Sequence, residues 1–219
     1  MDDPALEAES HERALQGLAR INHISGTAKE IWRELKKHIE PNTELRMLDV
    51  AAGGGDVPIE VVKLAQRQDV KIQLTVCDIS QRALGWARER ADALEIPLDS
   101  FMVDICEQDI PDHFQIVTSS LFLHHLDREQ AQVVLRRMSD AASSLMLVND
   151  LDRSVLGYCA AFAVSQLLTR SPIVHTDAPR SVRAAYTKQE AIQMAATAGL
   201  PNVQARRCRP FRWQLISKS

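Results

Sequence analysis

Between residues 45 and 150 the chain repeats one unit, a short apolar run followed by a polar turn or an amphipathic stretch of helical period. The runs are LRMLDV (45–50), KIQLTVC (71–77), SFMV (100–103), FQIVTSS (114–120) and SLMLVND (144–150). Each is too short for a helix that packs on its own and is rich enough in apolar residues to be buried on two faces. Helices are predicted over 57–68, 81–94 and 127–138. Pro58 is accepted in the first turn of the first, and Ser80 caps the second. Strands alternating with helices in this way predict a parallel sheet covered on both sides.

The flanks complete the architecture. Residues 1–40 form a helical N-terminal segment, with Ala14, Leu15, Leu18 and Ile21 at helical spacing, an interruption at Ser25–Gly26 and an end at Pro41. Residues 151–186 break the alternation with an apolar helix (155–168) and a loop bearing Pro, His and Arg. A helix over 187–200 opens on a capping box, Thr187 with Glu190. Two last strands, 202–208 and 211–217, are joined too tightly for a parallel crossover and should pair antiparallel. The prediction is one α/β domain, 1–219. Its doubly wound, seven-stranded, mostly parallel sheet has helices on both faces and an antiparallel last strand.

Composition narrows the function. There are 26 Lys and Arg against 29 Asp and Glu, a formal net charge of −3, which offers no general attraction to nucleic acid. The basic stretch Arg206, Arg207, Arg209 and Arg212 reads as the solvated edge of the last hairpin. The acidic start has no signal-peptide core, and the apolar stretch 155–168 is too short to span a bilayer. Four widely spaced cysteines give no metal or redox spacing, so no metal is expected and the cytoplasm is the expected compartment.

In an open parallel sheet a ligand binds beyond the carboxyl ends of the strands. Acids or polar residues end every predicted strand: Asp49, Asp78, Asp104, Ser119–Ser120 and Asn149–Asp150. After Asp49 comes AAGGGD, three of the chain's eight glycines together. No Gly-Lys-Ser/Thr follows, which excludes a P-loop. The dinucleotide fingerprint fails at its third glycine, where Pro58 stands. A carboxylate before a loop without basic residues repels a pyrophosphate and favours a cation.

LRMLDVAAGGGD resembles the first motif of the Rossmann-like (class I) S-adenosylmethionine-dependent methyltransferases. VCDIS and MVDI resemble the acidic ends of their second and third strands, and FQIVTSSLFLHHL resembles the fourth-strand motif of small-molecule members. The resemblance runs from about residue 18 to 217; NDLDRS and SVRAAYT are similar to a bacterial branch associated with polyketide-type pathways. It implies S-adenosylmethionine as cofactor and S-adenosylhomocysteine as product. The glycine loop (Ala51, Ala52, Gly53, Gly55) would lie under the methionine part, with Asp49 holding the loop and the ammonium end. Asp78 would take the ribose hydroxyls and Ile79 would pack on the adenine. Asp104, with Ile105 beside it, would take the adenine amine. Ser119 and Ser120 would face the methionine, and Arg20 and Asn22 would close over its carboxylate. Ala51 departs from the family's glycine, and it fits if its φ is negative.

Methyl transfer mainly needs the nucleophile positioned, with a base where the acceptor is a hydroxyl. His124 and His125 are the catalytic candidates, each set against a structural role. The segment 151–186 is the expected substrate cap or dimer interface, with Tyr158, Phe162, His175, Arg153 and Arg183 as substrate candidates. The expected partner is a small, partly apolar acceptor bound by a monomer or homodimer, with no nucleic acid and no membrane insertion. A cofactor-binding subunit without turnover and an NAD-dependent oxidoreductase are the rival readings.

Overall fold

The computed structural model describes residues 26–39, 43–111, 114–168, 172–200 and 202–218. Arg20 and Asn22 lie outside the described residues. The elements run α1 (Thr27–Leu35), β1 (Glu44–Val50), α2 (Asp56–Gln66), β2 (Lys71–Asp78), α3 (Gln81–Asp92), β3 (Leu98–Met102) and β4 (Phe114–Ser120). A 3-10 turn (Leu123–His125) leads to α4 (Arg128–Ala141), β5 (Ala142–Leu151), α5 (Val155–Leu168), α6 (Pro172–Ala184), α7 (Lys188–Thr197), β6 (Gln204–Cys208) and β7 (Arg212–Lys218).

Among the described residues seven strands form one sheet in the order β3-β2-β1-β4-β5-β7-β6. β1 pairs in parallel with β2 and β4, and β7 pairs antiparallel with β5 and β6. Alternate residues of β1 show why both faces are covered. Met47 joins a core with Ile31 and Leu35 of α1, Val61 of α2 and Leu84 of α3. Leu48 and Val50 join a second core with Val134 and Leu135 of α4 and Met194 of α7. With no polar face left, β1 and its neighbours read as near-continuous apolar runs.

Two expectations shift. β5 starts at Ala142, directly after α4, because Ala141 and Ala142 are buried and let the helix run into the strand. The loop expected after 168 is instead α6. Its buried Val174 and Val182 lie two helical turns apart, a spacing that its His, Thr, Asp and Pro residues disguise. Among the described residues no helix is long and apolar enough to cross a membrane.

Strand order reverses between β1 and β4, so the loops leaving these two strands diverge and open a crevice.

Candidate active site

A cavity of about 870 Å³ occupies that crevice. Its first half is built from the ends of β1, β2 and β3. The loop after β1 is held from β2: Ala52 N–H donates to the Cys77 carbonyl (3.1 Å) and Gly53 N–H to Asp78 Oδ2 (2.8 Å). Asp78 Oδ1 accepts from Ser80 N–H at 2.8 Å, which ties the same carboxylate to the start of α3. A carboxylate offers about four acceptor positions. Asp78 can therefore hold the loop and still receive hydroxyls from the cavity, which it lines.

Three residues of this loop take left-handed backbone: Ala51 (φ 54), Gly53 (φ 54) and Gly55 (φ 70). The condition set for Ala51, a negative φ, is thus not met. The chain turns there as it would at a glycine, and the methyl group is accommodated at a cost of about 1–2 kcal/mol. The glycines divide the work. A Cβ placed on Gly53 or Gly54 meets nothing within 4 Å, so the loop presents bare backbone to open space. On Gly55 it would lie 3.0 Å from Ala87 Cβ and 3.2 Å from Ile59 Cδ1, so this glycine serves the packing of loop on helix. Gly55 does not line the cavity, whereas Ala51, Ala52, Gly53 and Gly54 do.

Asp49 sits behind the loop, 1% exposed. Its Oδ1 accepts from Thr118 Oγ1 at 2.5 Å, and its buried Oδ2 has no hydrogen-bond partner among the described residues. Burial pushes its carboxyl up to about 7, against the Thr118 hydrogen bond and with help from the charges of Asp56 and Asp78. Ser119 is buried as well, its hydroxyl spent on the Val50 carbonyl (2.9 Å), and only Ser120 reaches the cavity lining. The expectation that both serines face the ligand is corrected by strand alternation, which sends neighbours to opposite sides.

Ile79, Asp104 and Ile105 complete this half, with Ile79 65% exposed at the cavity rim. Asp104 Oδ1 caps the following turn through Cys106 N–H at 2.9 Å. That turn is clamped from outside by Arg137 of α4, which donates to the carbonyls of Ile105 (2.8 Å) and Glu107 (3.2 Å) and to Asp109 Oδ1 (2.7 Å).

The second half lies beyond β4 and β5 under α5 and α6. Phe122, Leu126, Leu151, Ala161, Val164 and Val182 make it apolar, and His124, His125, Asp177 and Arg212 give it charge or polarity. His124 Nδ1 lies 2.7 Å from Asp150 Oδ1, with both side chains buried. The backbone N–H groups of Leu151 (2.7 Å) and His124 (3.2 Å) donate to the same carboxylate. Burial works to raise the Asp150 pKa, but the neighbouring His124 and these donors hold it below the usual carboxylate range. An ionised Asp150 only accepts, so His124 carries its proton on Nδ1 and keeps Nε2 as the basic nitrogen. The His125 ring stacks beside it, 4.2 Å between centroids.

The cap residues proposed from sequence do not meet here. Tyr158 and Phe162 are 42% and 53% exposed, because α5 is apolar all round and its smaller residues, Ala161 and Val164, face the cavity. Arg153 is held by Glu190 (2.7 and 2.9 Å) and the Ala185 carbonyl, a structural tie between the segment after β5 and α7. His175 and Arg183 are also outside the lining. Arg212 corrects the reading in the other sense. Expected on a solvated edge, it is 5% exposed and lines the cavity. Pairing of β7 with β5 sets it opposite Leu151, at the strand end where the site is built. Only the sheet register reveals this. Asp150 was visible as a strand-end acid, but its partner was not.

Residues 47–144 match the family described as methyltransferase domain. That match takes in less than half of the chain. Among solved structures, the O-methyltransferase family 2 protein of Planctomyces limnophilus, crystallised with apigenin, superposes with a TM-score of 0.67 at 16% identity, over 100% of this chain and 63% of that one. Magnesium protoporphyrin IX methyltransferase (ChlM) of Synechocystis, crystallised with SAH, gives 0.64 at 14% identity, over 99% and 89%. These likenesses show the fold alone: a Rossmann-like α/β arrangement. A 66-residue stretch is 32% identical to the ubiquinone/menaquinone biosynthesis C-methyltransferase UbiE of Rickettsia felis, covering 30% of this chain and 27% of the relative. A 74-residue stretch is 31% identical to UbiE of Cereibacter sphaeroides. The match thus spans little more than a quarter of the length of these curated relatives.

Proposed function

We propose that this chain is a methyltransferase that transfers a methyl group from S-adenosylmethionine to a hydroxyl oxygen of a small, partly apolar acceptor. The observation that carries the reading is the cavity with two chemically distinct halves, one walled by strand-end acids and bare glycine backbone, the other by apolar residues around His124. The first half fits the cofactor. The uncrowded faces of Gly53 and Gly54 allow close approach, and Asp78 and Asp104 offer acceptors for ribose and adenine. When bound, S-adenosylmethionine supplies an electrophilic methyl on a sulfonium.

The chain's part is positioning and proton removal. Phe122, Leu126, Val164 and Val182 exclude water from the acceptor's apolar body. Asp150 fixes the His124 ring, so His124 Nε2 takes the hydroxyl proton as the new O–C bond forms. The same base serves an enol that is methylated on carbon, the chemistry in the name of the UbiE relatives, and the product's carbon spectrum distinguishes the two.

The test is methylation of a phenol and enol panel with labelled cofactor. His124→Asn should lower turnover roughly 10²–10⁴-fold while leaving S-adenosylhomocysteine affinity within about twofold. Full activity in the variant would remove His124 as base, and absence of any product across the panel would favour a cofactor-binding subunit without turnover.

A further inference from the structure

We infer that Arg212 receives an anionic oxygen pair of the acceptor, so that the substrate is a carboxylic acid whose methylated group lies close to its carboxylate. This rests on reading the cavity as the methyl-transfer site. Arg212 lies nine-tenths or more out of solvent and lines the acceptor half. The one hydrogen bond its side chain makes among the described residues is Nη1 donating to the neutral Thr27 hydroxyl. No carboxylate lies within ion-pair distance of it among the described residues. A guanidinium has five donors, so the Nε–Nη2 edge keeps two parallel N–H groups, the geometry that grips a carboxylate. A buried cation without a bonded counter-charge is costly. Burial accordingly pulls the Arg212 pKa down to about 10, although Asp150 opposes this through space. An acid in the cavity would supply the missing partner.

Neighbours set both the position and the sign. Asp150 holds His124 by a hydrogen bond and acts on Arg212 as well, so base and cation flank one region. An acceptor bound there presents its carboxylate to Arg212 and its hydroxyl to His124, as in an ortho-hydroxy aryl acid. Asp177, which lines the same half, and Asp150 behind it both disfavour an anion. Without Arg212 the site should therefore prefer a neutral acceptor.

Salicylate and its neutral isostere salicylamide test this by calorimetry on the full chain saturated with S-adenosylhomocysteine. The wild type should bind salicylate at least tenfold more tightly. Arg212→Met should reverse the order with S-adenosylhomocysteine affinity retained, and Arg212→Lys should fall between. Equal or weaker binding of salicylate by the wild type, including no detectable binding of either, overturns the proposal, as does an unchanged preference in Arg212→Met. Should Arg212→Met not fold, a crystal structure of the wild-type ternary complex decides: the carboxylate on Arg212 supports the proposal, and the carboxylate elsewhere overturns it. Failure of S-adenosylhomocysteine itself to bind strikes the underlying reading instead.

Discussion

At Ala51 the chain keeps a side chain where its backbone behaves as glycine, with φ at 54. Ala51→Gly should remove the left-handed penalty and lose part of the gain to the more flexible unfolded chain. The net expectation is a stabilisation of up to about 1 kcal/mol in urea unfolding; clear destabilisation would show that the methyl contributes packing that outweighs the strain. Asp49 makes a second residue-scale prediction. Its folded pKa is raised to about 7 from 3.8. The folded state therefore binds the proton more tightly, and this contribution to stability is full below the unfolded pKa and is lost as pH rises through about 7. Relative to Asp49→Asn, the wild type should lose stability from pH 4 to 7 and change little above. A flat difference between the two would mean Asp49 ionises normally.

At the scale of elements, Arg137 ties the turn after β3 to α4 from outside, adding to the turn's own hydrogen bonds. Arg137→Ala should weaken S-adenosylhomocysteine binding roughly tenfold through a looser wall, by about 1–2 kcal/mol, while turnover at saturating cofactor stays near wild type. Unchanged affinity would make Arg137 a surface tie only. The limits of sequence reading are plain at this scale. Periodicity and strand-end acids were enough to locate the strands, the crevice and part of its first half, Ala51 to Gly53, Asp78, Ile79, Asp104 and Ile105, because those residues are local to their own loops. Asp49, Gly55 and Ser119, by contrast, do not line it. The second half is non-local. His124 meets Asp150 across 26 positions, and Arg212 enters through antiparallel register. Helix α5, apolar on every side, gives no periodicity from which to tell its cavity face from its exposed one.

For the molecule as a whole, reversal of strand order between β1 and β4 creates one crevice with two kinds of wall, acidic with bare backbone on one side, apolar with a histidine on the other. That division is the basis for placing a cationic nucleoside beside an apolar acceptor. Calorimetric titration of the full chain with S-adenosylhomocysteine, and in parallel with NAD, addresses it most directly. The account predicts submillimolar, one-to-one binding of S-adenosylhomocysteine, weakened by Asp78→Ala by roughly 1–3 kcal/mol, and no heat with NAD. Silence with S-adenosylhomocysteine, or tight binding of NAD in its place, would contradict it.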